Sequence, residues 1–324
     1  MVSEASDDTT RLHWILLGLL VGTFTVLATC LASWKAASLM PEWGFDLSFF
    51  HNLVWNVSEG NGYRQSSSYH EPPGIFNESH FEPIIVLAAP LYKLVPRLET
   101  VFAVQSALLG LGALGIFRIA RSAGASAWAA LGGATIYLFW WPLWRMAMAD
   151  IRPLLWCIPF LILLVAALRE NRRREALIWA GLACLCREEV PVLVFFTALG
   201  ALLWRVGDRR ERRNTVLLLA GGVALFSVAT WFLRREGAPT FYIRPLDWLK
   251  TFFGAPDVDG QMSNYGHSAS ELLGLRLAYL REWLLPAALG VLLAPEVLLA
   301  SAPLFLYLFT QSDEWASWEG SYVH

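Results

Sequence analysis

The chain has 324 residues, of which 56% are hydrophobic and only 16% charged, and its mean hydropathy is +0.46. A soluble domain is nearer ~45–50% apolar and ~25% charged, so this composition argues against an ordinary globular protein and for a polytopic membrane protein. The formal net charge of -2 offers no basic footprint for a nucleic-acid partner.

The opening "MVSEASDDTTRLHW" is acidic and polar, unlike the basic start of a signal peptide. The uncharged run Trp14–Trp34 that follows is long enough to span a bilayer and reads as an uncleaved first transmembrane helix. Beyond Lys35 comes "WGFDLSFFHNLVWN", where Phe45, Phe49, Phe50, Leu53, Val54 and Val57 recur at a helical period. This predicts a helix lying in the membrane interface, with Asp46 in its first turn. Two readings of Asp46 stand together: it caps the helix N-terminus, where the dipole favours an acid, or it is a functional carboxylate.

Further uncharged stretches at Thr100–Phe117, Ser122–Trp144, Pro153–Leu168, Asn214–Leu233 and Val297–Ser312 suffice for spans. The shorter Ile84–Tyr92, Ala176–Cys186, Val190–Trp204 and Trp283–Pro295 read as tilted spans, interfacial helices or halves of a hairpin. Many of the 16 tryptophans fall near span ends, as in aromatic belts. The densest basic clusters are "RENRRR" (Arg169–Arg174) and "RVGDRRERR" (Arg205–Arg213), with Arg118 and Arg121 a weaker third. The positive-inside rule puts all three in the cytoplasm. The chain between Arg174 and Arg205 must then leave and return, which predicts a hairpin of two short helices with Arg187, Glu188 and Glu189 at its tip. The N-terminus is cytoplasmic by the same reasoning. Two long extracytoplasmic loops remain, at about residues 35–82 and 234–282. The expected architecture is a single all-α transmembrane domain over 1–324, with roughly nine membrane helices and one interfacial helix.

Several motifs carry or fail to carry chemistry. The first loop contains Tyr69, His70, Glu71, Asn77, Glu78, His80 and Glu82, imidazole and carboxylate groups that suit Zn²⁺ or Mn²⁺ but at no diagnostic spacing. "HEPPG" is not a metalloprotease motif, because its second histidine is absent and Pro72–Pro73 break the helix the motif needs. "GLGALG" (Gly110–Gly115) lies inside an apolar run with no preceding strand, so it reads as close helix packing and not a dinucleotide loop. "DVDG" (Asp257–Gly260) lacks the remaining ligands of a calcium loop and reads as a polar turn. "NVS" and "NES", at Asn56 and Asn77, are formal glycosylation sequons. Cys30, Cys157, Cys184 and Cys186 sit in apolar stretches and read as small buried hydrophobes. Asp150 and Arg152 at the start of a span, and the charges at Arg187–Glu189, are ionisable groups near membrane depth. They have a functional reading and an internal-pairing reading.

Taken in order, "FDLSFFHNLVWN", "HFEPIIVLAAPLYKLVP", "LACLCREEVPVLV" and "LREWLLPAALGVLLAPEVLLASAPLF" resemble blocks of a family of bacterial and archaeal multipass proteins of unknown function. That family is itself similar to the GT-C superfamily of lipid-linked-sugar glycosyltransferases. The resemblance, from about Trp14 onward, implies a GT-C-like bundle in the cell membrane using a polyprenyl-phosphate sugar and bound by membrane lipid. It implies Asp46 as general base or metal ligand. Arg152 and Arg187 would hold the departing phosphate, and Mg²⁺ or Mn²⁺ could be coordinated by Asp46 with His80 or Glu82. Trp43, Trp55 and Tyr69 are candidates for stacking on sugar rings. Three departures stand out: Leu47 follows Asp46 where many GT-C enzymes have a second acid, Ile151–Arg152 stand where relatives have Phe-His, and the chain stops at "WEGSYVH" where relatives continue. The second departure favours phosphate over metal binding. The third raises two further readings, a shortened chain or an inactive partner subunit. A transporter or flippase of a lipid-linked or small anionic solute is the alternative from another class.

Overall fold

The structure is a computed structural model that describes residues 2–38, 44–63, 82–187 and 190–203, and positions 213, 217, 220–222, 224 and 228. All regular structure among the described residues is helical. The chain divides into two compact units, one of Met1–Pro191 with Val206–Asn214, the other of Val192–Arg205 with Thr215–His324.

The first unit carries α1 (Val2–Ser38), α2 (Gly44–Ser58), α3 (Ala89–Leu94), α4 (Leu98–Ser122), α5 (Ala127–Phe139), α6 (Trp141–Ala147), α7 (Cys157–Arg169) and α8 (Arg173–Cys184). Short 3-10 segments at Pro83–Ala88 and Pro153–Trp156 lead into α3 and α7. Among the described residues two helical segments are long and apolar enough to cross a membrane, Arg11–Ser38 and Leu98–Ser122. At ~1.5 Å per residue each exceeds the ~30 Å hydrocarbon layer.

Helix α4 is the hub, packing against α1, α5 and α7. Its glycines explain how. Gly110 faces Val21 and Phe24 of α1, Gly112 faces the Tyr137 ring of α5, and Gly115 faces Ile162 and Leu163 of α7. A methyl group on Gly115 would stand 2.6 Å from Ile162 Cγ2 and 3.2 Å from the α7 backbone. "GLGALG" therefore does what its setting predicts, letting three neighbours approach one helix. Leu17, Phe24, Leu109, Ala113, Ala134 and Leu138 fill the space between α1, α4 and α5. The outward faces remain apolar: Leu19, Val26 and Trp34 of α1 and Ile136 and Phe139 of α5 are each at least 60% exposed. An apolar surface this extensive belongs against lipid rather than water.

Local chemistry sets the breaks. Helices α2, α4 and α7 each close with a left-handed residue, at Gly60, Gly124 and Asn171. In each the amide after it bonds five residues back, as in Asn61 N to Asn56 O, Ala125 N to Ala120 O and Arg172 N to Ala167 O, all 2.9–3.0 Å. The Ser126 side chain caps α5 by accepting from Ala129 N at 3.2 Å. The run Ser122–Trp144, expected as one span, is instead α5 and α6 separated at Trp140. Trp140 is extended (φ -65°, ψ 120°), with Pro142 in the first turn of α6. Proline lacks the N–H that a continuous helix would need there. The predicted interfacial helix is present as α2, with Phe49, Phe50, Leu53 and Val54 buried.

Contacts at its two extremities give the bundle its sense. At one, the start of α1 (His13, Trp14) meets the end of α4 (Phe117, Arg118, Arg121) and Glu170 and Arg172 after α7. At the other, Lys35 Nζ donates to Met148 O at 3.3 Å. Gln105, near the start of α4, also reaches Met146 and Asp150 there. Helix α1 thus runs antiparallel to α4, and α7 runs parallel to it.

The helix-break-helix pattern expected around Arg187 is seen, α8 ending at Cys184 and α9 (Val190–Leu203) beginning six residues later, with Pro191 in its first turn. The second unit is described over Val192–Leu203 of α9 and at helical positions between 217 and 228. The expected loop at 234–282 and the expected spans beyond it lie outside the described residues.

Candidate functional site

The polar end opposite the arginine-rich turns is assembled from four pieces of chain. Helix α2, which carries Asp46 as its third residue, packs on α3 and on the 3-10 segment Pro83–Ala88. The contact is fixed by a hydrogen bond between His51 Nε2 and the Tyr92 hydroxyl at 2.8 Å, with the rings edge to face at 5.4 Å. Burial lowers the pKa of His51, and the negative charge of Glu99 partly opposes that shift. The 3-10 segment in turn joins α8: Ile84 N donates to Leu185 O at 2.9 Å. This brings Glu82, 3% exposed, to the turn that carries Cys186 and Arg187. The charge of Glu82 is felt at Cys186 and that of Arg187 at Cys157.

The fourth piece is the turn Met148–Arg152, and a neutral side chain holds it. Gln105 has no exposed surface. Its Oε1 accepts from Arg152 N at 2.9 Å and from Trp156 Nε1 at 3.3 Å. Its Nε2 donates to the carbonyls of Met146, Ala149 and Asp150 at 3.3–3.5 Å. An amide offers two donors and one carbonyl acceptor, and all are used here. The backbone of Arg152 is therefore pinned to α4, while its side chain is only half-buried.

The comparisons with known proteins bear on most of the chain and on no single end of it. The sequence model of the family described as predicted membrane protein (DUF2079) matches residues 38–322. The chain belongs to that family. No curated protein and no solved structure matches it. Membership in a DUF2079 family of predicted membrane proteins agrees with the apolar outer faces of α1 and α5. The match covers every block on which the resemblance to a family of multipass proteins of unknown function rests, and it carries no link to glycosyltransferases.

The sequence-predicted site residues of this DUF2079 member fall into three groups. Glu82, Arg152 and Arg187 are described at the polar end. Trp55 is on α2 and 44% exposed. Asp46 has its backbone in α2, but its side chain lies outside the described residues, as do Trp43, Tyr69 and His80. Among the described residues no group of three or more His, Cys, Asp or Glu side chains could hold a metal ion. The side chains of Asp46 and His80, expected with Glu82 as metal ligands, lie outside the described residues. Cys157, Cys184 and Cys186 are buried, as expected of small hydrophobes, whereas Cys30 is exposed on the outer face of α1.

Sequence reasoning missed Gln105 and the ion-pair knot at the opposite end. Gln105 was visible as a polar residue in the uncharged run Thr100–Phe117, and such residues at membrane depth are costly unless they have partners. The knot centres on Arg118, 11% exposed in its side chain. Its Nε and Nη2 clamp Glu170 at 3.0 and 2.8 Å, and Nη1 and Nη2 clamp Glu175. Arg172 Nε adds a second contact to Glu170 at 2.9 Å. The hydrogen bonds from Arg118 hold the Glu175 carboxyl below its ordinary range. These arginines had been read for orientation alone. No sequence spacing announces a triad drawn from α4 and the α7–α8 turn.

Proposed function

We propose that this protein is a GT-C-like, multi-pass membrane glycosyltransferase. It moves a sugar from a polyprenyl-phosphate donor to an acceptor hydroxyl on the extracytoplasmic side of the plasma membrane. The observation that carries the reading is the segregation of charged groups to two ends of one apolar bundle. Arg118, Arg121, Arg169, Arg172, Arg173 and Arg174 occupy one end, which the positive-inside rule assigns to the cytoplasm together with the N-terminus. Glu82, Arg152, Arg187 and the helix that bears Asp46 occupy the other, where the phosphate of a lipid-linked donor would sit.

The chemistry asks little more. The acceptor oxygen attacks the anomeric carbon, the bond from that carbon to the phosphate oxygen breaks, and polyprenyl phosphate leaves with the bonding pair. Asp46 takes the acceptor proton as general base. Arg152 and Arg187 stabilise the charge that grows on the phosphate, a task suited to the guanidinium fork. Gln105 acts one step back, fixing the Arg152 backbone so that the fork need not be positioned afresh in each turnover. Trp55, exposed on α2, offers a face for a sugar ring. Metal assistance by Asp46, His80 and Glu82 is not needed for this scheme, and no step is routed through it.

A second reading draws on the chain between Phe139 and Cys157, which is broken at Trp140 and again across Met148–Arg152. Discontinuous helices beside charged groups are how transporters build substrate sites. One experiment separates the two. The full chain is reconstituted in vesicles with labelled polyprenyl-phosphate sugar, and label is followed both into acceptor and across the bilayer. Transfer to acceptor in the wild type, lost in Asp46→Asn at equal expression, supports the glycosyltransferase. Flux without transfer supports the transporter, and undiminished transfer in Asp46→Asn removes Asp46 from the site.

A further inference from the structure

A groove of about 400 Å³ opens at the arginine-rich end of the first unit, between the start of α1 and the end of α4. Its floor is apolar, formed by Trp14, Leu114 and Phe117, with the Trp14 and Phe117 rings 5.0 Å apart. Its rim is formed by Arg118, Arg121 and Arg172 with one acid, Glu170, among them. The three arginines differ in what they can still do. Arg118 is saturated by two carboxylates and anchors the rim. Arg121 is exposed and places Nη1 on the Ala125 carbonyl at 2.7 Å. Arg172 touches Glu170 but keeps 63% of its side chain exposed. Glu170 pairs with both Arg118 and Arg172, and Arg172 is 3.6 Å from Glu175 as well. Arg169, Arg173 and Arg174 are the other charges of the same stretch of chain. The balance is strongly positive.

We propose that this groove binds an anionic phospholipid, its phosphate between Arg121 and Arg172 and its acyl chains along Trp14, Leu114 and Phe117. Charge complementarity selects the headgroup, because a zwitterionic lipid would bring a choline cation to a cationic rim. The apolar floor selects a lipid over a soluble anion, which would gain nothing from an indole and a phenyl ring. Position agrees as well. The groove lies where the candidate span of α1 begins, at Arg11, and where that of α4 ends, at Ser122. Those are the depths at which headgroups and interfacial tryptophans meet. The site is at the opposite end of the bundle from Asp46 and does not depend on the proposed reaction.

The test uses the full chain purified in a neutral detergent, with phosphatidylglycerol, phosphatidylcholine and free glycerol 3-phosphate as probes. Native mass spectrometry counts retained lipid, and a titration followed by thermal unfolding gives the apparent affinity. Phosphatidylglycerol is expected to be retained and to stabilise the wild type, with phosphatidylcholine and glycerol 3-phosphate inactive. Each interfacial arginine is worth about fivefold, so Arg121→Gln should weaken binding about fivefold and Arg121→Gln with Arg172→Gln roughly 30-fold. Arg97→Gln removes one exposed charge at the far end and should change nothing. Arg121 makes a single described hydrogen bond, to a turn carbonyl, so its variant remains informative if the double variant does not fold. Equal retention of phosphatidylcholine, competition by glycerol 3-phosphate, or an equal loss in Arg97→Gln would each overturn the proposal.

Discussion

Gln105→Met removes the amide and nearly keeps the volume, so its effect can be worked from the hydrogen bonds alone. The three donated bonds are long, 3.3–3.5 Å, and the carbonyls they serve stand at a break in the helices where other donors exist. They contribute little. The two accepted bonds matter more, since Arg152 N at 2.9 Å and Trp156 Nε1 at 3.3 Å would lose their acceptor. Trp156 is fully buried, so water cannot replace it. A buried donor left without a partner costs ~1–3 kcal/mol, and two such donors together give about 2–4 kcal/mol once partial relaxation is allowed. Equilibrium unfolding of the purified variant in mixed micelles measures this directly. In the transfer assay Gln105→Met should raise KM and lower kcat together, because Arg152 would be held less firmly. A loss below about 0.5 kcal/mol would mean that the Met148–Arg152 turn is held by something else, and the positioning role would go with it.

Arg118→Gln should cost about 3 kcal/mol at neutral pH, since it strands two partly buried carboxylates, and equilibrium unfolding should show it. The folded-state pKa of Glu175 lies below its unfolded value of about 4.5, so the stability it contributes is complete above that pH. It is lost as the pH falls through the folded value, and the gap between wild type and Arg118→Gln should narrow below pH 4. Gly112→Ala and Gly115→Ala should each destabilise by ~1–3 kcal/mol, and Gly110→Ala by less. Gly112 abuts the Tyr137 ring whose hydroxyl donates to Leu109 O at 2.9 Å, whereas Gly110 meets only side-chain atoms of α1, at 3.2 Å or more. His51 titrates below its ordinary 6.5, so its bond to Tyr92 is fully supported above that pH and weakens as the pH falls through the lowered value. Hydrogen exchange in α2 should therefore speed up at pH 5 beyond the intrinsic rate change, and His51→Phe should abolish the difference.

Much of the helical layout was legible because its determinants are local. Apolar periodicity located α2, and the uncharged runs located α4, α7, α8 and α9 to within a few residues, whereas α1 begins at Val2, well before the run that marked it at Trp14. The three glycines of α4 were readable as a packing device from their apolar surroundings. The break at Trp140 is not evident from composition, because apolarity continues across it and the proline that enforces it, Pro142, lies inside the same apolar run. The long-range pieces were harder. The bond from Ile84 to Leu185 joins residues a hundred positions apart through backbone atoms, which carry no signature in the side chains. Gln105 could have been flagged as a polar residue in a span, yet its five partners come from another part of the chain. Asp46 is singled out by its place in the first turn of α2 and by resemblance, and its side chain lies outside the described residues.

The two ends of the bundle use opposite solutions to the same difficulty. Each must fix an arginine near the edge of a low-dielectric slab. At the arginine-rich end Arg118 is held through its guanidinium by two carboxylates, which neutralise it and tie α4 to the α7–α8 turn. At the far end Gln105 holds Arg152 through the backbone N–H, so this anchor makes no demand on the guanidinium. A carboxylate in place of Gln105 would grip Arg152 no less tightly but would face the Met146, Ala149 and Asp150 carbonyls and set a negative charge beside any phosphate. The neutral amide supplies the order without the charge, which is the condition an arginine must meet if its task is to receive an anion.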